Sequence, residues 1–127
     1  MHKILKNKLT PLAIEVTQKS GTEIPFTGKY NNFYKDGIYQ CICCNTDLFL
    51  SNDKFNSGSG WPSFKQSIVG RIKYLEDFSF GMKRVEVKCE KCEAHLGHVF
   101  DDGPLPTKKR YCINSASLNF KSDNDEL

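Results

Sequence analysis

Six cysteines are the residues best suited to chemistry in this sequence of 127 residues, and four of them have the spacing of metal ligands. Cys41 and Cys44 form one Cys-x-x-Cys unit, and Cys89 and Cys92 form a second. This spacing allows a tight turn to bring both thiolates onto one ion, and two such turns supply the four sulfurs of a structural Zn²⁺ site. A site closed by four cysteines has no position for substrate. We therefore predict one structural zinc ion per chain, so the reactive group must be a different residue.

Two cysteines remain after the metal site is filled, and they differ in their surroundings. Cys43 lies between the ligands of the first unit, in QCICCN, where its simplest role is that of a small buried apolar side chain. A redox function of a Cys-x-x-Cys unit is an alternative, although a redox enzyme requires only one such pair. Cys112 lies in KRYCINSASL, away from both units, and is the candidate nucleophile.

Strand alternation predicts the neighbours of Cys112. In an extended strand, residues 110, 112 and 114 share one face, so Arg110 and Asn114 lie beside the thiol, while Tyr111 and Ile113 face the opposite side. A nearby positive charge favours the thiolate, which is the nucleophilic form of cysteine. Arg110 is therefore expected to activate Cys112.

Two histidines are candidates for proton transfer. His95 and His98, in HLGHVF, are about one tight turn apart and begin three residues after the last predicted zinc ligand. Imidazoles exchange protons near neutral pH, so a pair held by a metal-stabilised loop suits acid–base chemistry. The alternative is that they bind the metal or satisfy local hydrogen bonds, although four cysteines already fill one zinc site.

Trp61 is the only tryptophan and lies in the Gly-rich segment GSGWPSF. A lone tryptophan is often a core residue, but Gly60 and Pro62 on either side make Trp61 a candidate for a rigid apolar wall against a small substrate. Both interpretations are consistent with the sequence.

The elements that must position these residues are mainly strands. The segment LTPLAIEVTQKSG predicts a short helix with Thr10 as the N-cap, Pro11 at the first position and Gly21 just beyond the end. After Gly21, short runs rich in Ile, Val, Tyr and Phe lie between turn-forming residues. We expect antiparallel sheets, because no helical segment separates these runs for parallel crossovers. The predicted strands are residues 37–42, 67–75, 84–89 and 109–118.

Length and charge limit the class of protein. A chain of 127 residues suits a single domain. The net charge of +3 is spread over 18 basic and 15 acidic residues, so we expect no nucleic-acid partner. Lysine and asparagine interrupt the apolar residues of MHKILKNKLT, so we expect no membrane span, no secretory signal and a cytoplasmic protein. In a reducing cytosol, cysteines are metal ligands or catalytic groups before they are disulfides.

Several motifs taken together resemble one enzyme family. SGSGWPSF, HLGHVFDDGP, RYCINSASLNF, GTEIPFTGKY and the two cysteine units are similar to those of the peptide-methionine (R)-S-oxide reductases, the type B methionine sulfoxide reductases. The resemblance covers residues 8–120, which we take as one domain with short flexible ends at 1–7 and 121–127. It implies a mainly β fold of two antiparallel sheets with short N-terminal helices. It also implies a structural zinc held by Cys41, Cys44, Cys89 and Cys92. Independently of the resemblance, we expect the chain to be a monomer.

The resemblance also implies an activity and residue roles. Cys112 would attack the sulfoxide of peptide- or protein-bound methionine (R)-sulfoxide and become a sulfenic acid, in the repair of oxidised proteins. A thiol such as thioredoxin would then regenerate it. Trp61 would contact the ε-methyl group of the substrate, with Phe100 also in the substrate site. The residues that arrange water and protons around the sulfoxide oxygen would be His95, His98 and Asn114.

Two departures from the family pattern concern recycling and the rim of the site. Many relatives have a cysteine in place of Ser59, and that cysteine forms a disulfide with the nucleophile, which serine cannot do. Either an external thiol (thioredoxin, glutaredoxin or glutathione) reduces the Cys112 sulfenic acid, or Cys43 serves as the resolving residue. We favour the external thiol, because a residue between two zinc ligands has little freedom to move. Lys108 and Lys109 stand where relatives usually have Gly-Leu, and the sequence does not predict their effect on the rim.

Two other functions would use the same cysteines. A zinc-ribbon binding module needs no sixth cysteine beside an asparagine, and the modest charge provides no track for phosphates. A thiol-based sensor of zinc or oxidants would release its zinc on mild oxidation, whereas a closed four-cysteine site is typical of structural zinc. Both functions rank below the enzyme.

Overall fold

The N-terminal helix begins where the sequence predicts it. The computed structural model describes residues 9–123, so residues 1–8 and 124–127, which include most of both predicted flexible ends, lie outside the described range. Within that range one α-helix, α1, spans Pro11–Lys19, where the fold class predicted several short ones. The Thr10 side chain accepts a hydrogen bond from the Ala13 N–H (3.1 Å) and caps the helix. Ser20, with φ 56°, ends it.

The strands of the described chain form two antiparallel sheets, which confirm the predicted fold class. Their strands are β1 (Gly37–Cys41), β2 (Asp47–Leu50), β3 (Lys54–Phe55), β4 (Ser63–Phe64), β5 (Ile72–Asp77), β6 (Arg84–Cys89), β7 (His95–Phe100), β8 (Arg110–Ile113) and β9 (Leu118–Ser122). The small sheet has the order β2-β1-β9, and the large sheet has the order β3-β4-β8-β7-β6-β5. Short 3₁₀ turns lie at Ser51–Asp53, Ser79–Gly81 and Ser115–Ser117.

Two of the four predicted strands are wrong in extent. The strand predicted over residues 67–75 begins only at Ile72, because the preceding residues form a turn in which the Arg71 N–H donates to the Ile68 carbonyl (3.2 Å). The strand predicted over residues 109–118 is two strands: β8 ends at Ile113, and the turn at Ser115–Ser117 sends the chain into β9 of the other sheet. An alternating pattern does not reveal where a chain leaves one sheet for another.

The two histidines lie in a strand. His95 and His98 belong to β7 and not to a loop, so that prediction is wrong. Strand β9 continues through Lys121 and Ser122, which pair with Ile38 and Gly37 of β1. None of the helices in residues 9–123 is long and apolar enough to cross a bilayer.

The core lies between the two sheets and is rich in aromatic rings. Phe49 of the small sheet stacks on Phe64 of the large sheet with ring centroids 4.4 Å apart, and Tyr39 meets Phe64 edge-on at 5.1 Å. The side chains of Cys41 and Cys89 belong to the same buried cluster. The metal-ligand candidates are therefore part of the core that joins the two sheets.

Candidate active site and metal centre

Two equivalent turns bring the four spaced cysteines together. The first turn follows β1 and the second follows β6, and each closes by the same pair of backbone hydrogen bonds. In each, the first cysteine's carbonyl accepts a bond from the residue four positions on, Asn45 or Glu93, at 2.8 Å. Asn45 and Glu93 both adopt positive φ angles, 63° and 65°. The sequence spacing thus folds into two matching knuckles.

The sulfur geometry fits a tetrahedral metal ion. All four Sγ atoms lie within 4.8 Å of one another, with Cys41 and Cys92 at 3.5 Å and Cys44 and Cys89 at 3.7 Å. A Zn–S bond of about 2.3 Å places the sulfurs of a tetrahedral site about 3.8 Å apart. The four side chains are buried. The cluster can hold one metal ion, and because β1 and β6 belong to different sheets, it links the two sheets.

Cys43 lies beside this cluster and is fully buried. Its Sγ accepts a weak hydrogen bond from the Gln18 amide of α1 (3.5 Å). Since its neighbours in sequence are held by the knuckle and its side chain is covered by the helix, Cys43 has the environment of a packed core residue. It does not line the cavity that contains Cys112.

One face of the large sheet collects polar side chains from four adjacent strands. Cys112 on β8 is paired with Ser63 on β4 on one side and with His98 on β7 on the other. His98 is in turn paired with Glu86 on β6. Two residues along, Arg110 is paired with Phe100. Directly opposed residues share a face, with Cβ atoms about 4.5–5.5 Å apart. The predicted alternation around Cys112 is thereby confirmed for Arg110.

A bulge in β7 brings the second histidine to the same region. Lys88 pairs with His95 and Val87 pairs with Gly97, so Leu96 is an extra residue on β7. Without the bulge, residues 95 and 98 would face opposite sides of the sheet. With it, the two imidazole rings lie 5.7 Å apart at an interplanar angle of 70°. The sequence spacing predicted that the two histidines lie close together, which is correct. The reason is the bulge in β7 and not a tight turn.

Each histidine is held by its own carboxylate. His95 Nδ1 lies 2.6 Å from Glu86 Oε2, and His98 Nε2 lies 2.8 Å from Asp77 Oδ2. The Ser79 N–H and His98 hold the pKa of Asp77 well below its usual range. Burial lowers the pKa of His95 despite the opposing influence of Glu86. These pairs fix which ring nitrogen faces away from the carboxylate.

Cys112 opens into a cavity of about 270 Å³. The Arg110 guanidinium stacks on the Phe100 ring, 4.5 Å from its centroid, and makes two hydrogen bonds with Asp102 (2.9 and 3.2 Å). This pair raises the pKa of Arg110 and lowers that of Asp102. Residues that line the cavity with Cys112 are Ser59, Trp61, His98, Phe100, Arg110 and Asn114.

The Cys112 thiol experiences opposing influences on its ionisation. Burial raises the pKa of Cys112 and is the strongest influence, while the Arg110 charge and hydrogen bonds with Ser59 and Arg110 lower it. The net direction is upward. Arg110 therefore favours the thiolate as the sequence predicts, but it does not overcome burial in the absence of substrate.

Trp61 and Asn114 line the Cys112 cavity and are held by the segment after α1. The indole N–H of Trp61 donates to the Glu23 carbonyl (3.1 Å). Both ends of the Asn114 amide are engaged: Oδ1 accepts from the Glu23 N–H (3.0 Å), and Nδ2 donates to the Leu96 carbonyl (3.0 Å). Gly60 has φ 95°, and a Cβ there would lie 2.7 Å from the Cβ of Pro25, so only glycine permits this approach of the tryptophan loop.

The sequence reasoning missed several residues at this site. Glu86 and Arg84 were visible as the polar side of the alternating segment RVEVKC, but that side faces the histidines and not open solvent. No sequence motif marks Asp77 or Asp102 as site residues. Asp77 meets His98, and Asp102 meets Arg110, only because the fold brings distant strands and loops together. Glu23 lay in the quoted motif GTEIPFTGKY without an assigned role.

The two lysines that depart from the family pattern lie at a turn. Lys108 has φ 61°, and its N–H donates to the Pro104 carbonyl (2.8 Å), which closes the loop before β8. The Lys109 ammonium pairs with the exposed Asp101. Neither of these two residues lines the Cys112 cavity.

Comparison with known proteins agrees with this arrangement. Residues 9–122 match the family described as SelR domain. The chain belongs to the SelR domain family. It is also similar to methionine-R-sulfoxide reductase B3, mitochondrial, of Mus musculus, with 57% identity over 117 residues. That alignment covers 91% of this chain and 46% of the relative, so the chain spans about half the length of the curated relative that it matches. The resemblance predicted from the sequence is confirmed.

The same comparison corrects the expected location. We expected a cytoplasmic protein from the character of the N-terminal residues, but the mouse SelR-domain relative is a mitochondrial protein by name. That prediction is therefore wrong. The character of ten N-terminal residues does not decide location, because several kinds of short targeting segment direct proteins to different compartments.

Proposed function

We propose that this chain reduces the R epimer of peptide- or protein-bound methionine sulfoxide to methionine, in the repair of oxidised proteins. The observation that carries the proposal is the convergence of Cys112, His98 and Trp61 on one cavity, which unites a nucleophile, a proton donor and an apolar wall. The 57% identity to a relative named methionine-R-sulfoxide reductase supports the same substrate.

The reaction transfers one oxygen atom between two sulfurs. The Cys112 sulfur attacks the sulfoxide sulfur and forms a transient S–S bond; the protonated oxygen then passes to the Cys112 sulfur as the substrate S–O bond and the S–S bond break, which leaves methionine and a Cys112 sulfenic acid. The substrate sulfur gains two electrons and becomes a thioether, while the cysteine sulfur loses two. Sulfoxide sulfur is electrophilic only when its oxygen is protonated or strongly hydrogen-bonded, so a proton donor must act together with the thiolate.

His98 is the proposed proton donor. It is the cross-strand neighbour of Cys112, lines the same cavity, and is oriented by Asp77 at 2.8 Å. His95 lies behind it, lines an adjacent cavity and is paired with Glu86 at 2.6 Å, so its proposed role is to support His98 and the local water. Asn114 is proposed to fix the chain after the nucleophile, because both ends of its amide bond to backbone.

Selection of the R epimer requires three different contacts around one sulfur. We assign the methyl group to Trp61, with Phe100 beside it, the oxygen to the side of His98, and the sulfur to Cys112. The mirror-image sulfoxide exchanges its methyl and oxygen positions and would place oxygen against the indole. A site that hydrogen-bonds one group and packs on the other rejects such an exchange strongly.

Recycling is proposed to use an external thiol. Two thiols, from thioredoxin or from two small thiol molecules, reduce the sulfenic acid to the Cys112 thiol and water and become a disulfide. Ser59 lies in the cavity, where it lowers the pKa of Cys112 through a hydrogen bond, but it has no sulfur to form a disulfide. Cys43 is fully buried beside the metal cluster, which supports the external route over an internal one.

The four-cysteine cluster is proposed to hold structural zinc. Cys41, Cys44, Cys89 and Cys92 would bind the ion, which would supply cross-linking of the two sheets and no chemistry at Cys112. The oxidised protein and the thiol reductant are then the only partners that this function requires, and we propose that the chain acts as a monomer.

A paired assay with a nucleophile variant tests the function. Wild-type protein is expected to reduce methionine (R)-sulfoxide peptides and not the S epimers, with thioredoxin or another thiol as the donor. Cys112→Ser is expected to lose at least about 1,000-fold in activity, since oxygen does not replace the thiolate nucleophile. It should retain the metal and a native circular dichroism spectrum. Residual turnover by the folded variant, or turnover of the S epimer alone, would contradict the proposal.

Cys43→Ser is the matched control for recycling. It is expected to retain turnover with every thiol donor that supports the wild type. Peptide mass mapping after one equivalent of sulfoxide without reductant should find sulfenic acid on Cys112. A disulfide between Cys43 and Cys112 would overturn the external route and leave the reductase activity itself intact.

A further inference from the structure

Glu23 is a buried carboxylate with no place in the chemistry described so far. It lies between α1 and β1 and is 3% exposed. Its Oε2 accepts a hydrogen bond from the Ser115 N–H (2.9 Å), and its Oε1 accepts one from the Ala116 N–H (2.9 Å). A buried carboxylate is costly unless such bonds satisfy it. The side chain is thus clamped to the turn that directly follows Asn114.

The main chain of the same residue holds two residues of the site. The Glu23 N–H donates to Oδ1 of Asn114 (3.0 Å), and the Glu23 carbonyl accepts from the Trp61 indole (3.1 Å). One residue therefore contacts the tryptophan loop, the asparagine that follows β8, and the turn beyond it. These three segments are separated by at least 38 positions along the chain from Glu23.

The socket around the carboxylate has no spare room. A Cβ at Gly28 would lie 2.5 Å from Oε2 of Glu23 and 2.2 Å from Oγ of Ser115. That Ser115 hydroxyl is itself fixed as the acceptor of the Tyr30 N–H (3.2 Å). The carboxylate therefore has one available position, and its position sets that of the backbone that holds Trp61 and Asn114.

We propose that Glu23 is a positioning residue of the active site, which fixes the apolar wall formed by Trp61 relative to Asn114 and the strand that carries Cys112. The proposal rests on the proposed reductase function for its kinetic consequence, although the positioning of Trp61 is measurable without it. Glu23 does not touch the reacting atoms in this assignment. It acts through the two residues that its main chain holds.

The isosteric variant Glu23→Gln tests whether the hydrogen bonds of the carboxylate position the site, because glutamine fills the same volume. Glutamine has the same shape, but its amide nitrogen donates and cannot accept, so one of the two N–H groups at Ser115 and Ala116 would face another donor. The carboxamide would have to leave the clamp, and the Glu23 backbone would shift with it. We expect kcat/KM for a methionine (R)-sulfoxide peptide to fall about tenfold or more, mainly through KM.

The fluorescence of Trp61 reports on the position of the indole directly, because Trp61 is the only tryptophan. Its fluorescence emission maximum and its quenching by acrylamide are expected to change in Glu23→Gln as the indole loses its fixed carbonyl acceptor. Circular dichroism and metal content, measured on the same sample, should match the wild type. If Glu23→Gln does not fold, Glu23→Asp carries the same test, because it keeps the charge but is one methylene too short for the clamp.

Asp53→Asn is the matched control. Asp53 is also a buried carboxylate, 7% exposed and bonded to the Gln66 amide (3.1 Å), but it does not line the Cys112 cavity. It is expected to lower the melting temperature without altering kcat/KM or Trp61 emission. The proposal requires both changes in Glu23→Gln, so a folded variant that lacks either one overturns it. A wild-type protein without reductase activity would refute the proposed function, and the fluorescence comparison would still decide the positioning of Trp61.

Discussion

The metal cluster and the Cys112 cavity use the same element, sulfur, under opposite conditions. Cys41, Cys44, Cys89 and Cys92 are buried at 0–3% exposure, and their sulfurs face one another. Cys112 is partly exposed and faces a cavity with a guanidinium and a hydroxyl beside it. Cysteine reactivity follows access and thiolate stabilisation, so the first set is inert and Cys112 is available to a substrate.

The two regions are nevertheless connected through strands β6 and β7. The second knuckle of the cluster joins β6 to β7, and these strands carry Glu86 and His98 on the same face of the sheet as Cys112. The knuckle therefore helps to fix the register of the histidine strand β7 against β6. Under the proposed function, the cluster would supply stability and the cavity would supply chemistry, so variants should remove each separately.

Loss of a metal ligand should have the largest effect. Cys89→Ser is expected to abolish the native fold, since structural zinc is worth ~10–16 kcal/mol in small peptides and a whole domain is stable by only ~5–15 kcal/mol. Circular dichroism and zinc analysis of the purified variant measure this. Cys43→Ser, a change at a buried cysteine outside the ligand set, is the control and should stay folded with one zinc per chain. A folded, metal-free Cys89→Ser protein would show that the cluster is not a structural centre.

A sulfur placed beside Cys112 should change the recycling route. Ser59→Cys is expected to form a disulfide with Cys112 after one turnover, because residue 59 already lies within hydrogen-bonding reach of the Cys112 side chain. Peptide mass mapping after one equivalent of sulfoxide would detect the bond. Ser57→Cys, two positions away on the same loop, is the control and should yield sulfenic acid on Cys112. Equal amounts of disulfide in both variants would contradict the assigned geometry.

Removal of the cavity's positive charge should have a moderate effect. Arg110 lowers the pKa of Cys112 against the effect of burial, so Arg110→Met should raise that pKa further and shift the pH profile of thiol alkylation to higher pH. Activity at pH 7 should fall about tenfold as the thiolate becomes scarcer. Arg71→Met, at an arginine outside the cavity, is expected to leave the profile unchanged. A profile that moves to lower pH would refute the role of Arg110.

The smallest expected effect concerns the buried histidine. Burial lowers the pKa of His95, so below the ordinary histidine pKa of about 6.5 the unfolded state binds more protons than the folded state. Stability should therefore decline as pH falls from about 7 toward the lowered pKa, by at most about 1.4 kcal/mol per pH unit. Urea unfolding at pH 7.5 and 5.5 should show a smaller decline in His95→Gln than in the wild type. Zinc content measured at both pH values separates this effect from metal loss.

Local patterns were sufficient for the residues whose roles depend on short spacing. The Cys-x-x-Cys units predicted the cluster, and strand alternation placed Arg110 beside Cys112. The helix cap at Thr10 followed from residue type and the proline after it. Each of these features is decided within a few residues, where backbone geometry leaves few alternatives.

The sequence by itself determined the set of reactive groups and much of the strand pattern. The tertiary structure decided which groups meet: a bulge in β7 turns His95 toward His98, Asp77 reaches His98 from a strand two positions away in the sheet, and Glu23 joins Trp61 to Asn114. These contacts depend on the register between strands and on the path of loops. Such long-range pairing is set by packing of the whole core, which no short stretch of sequence encodes.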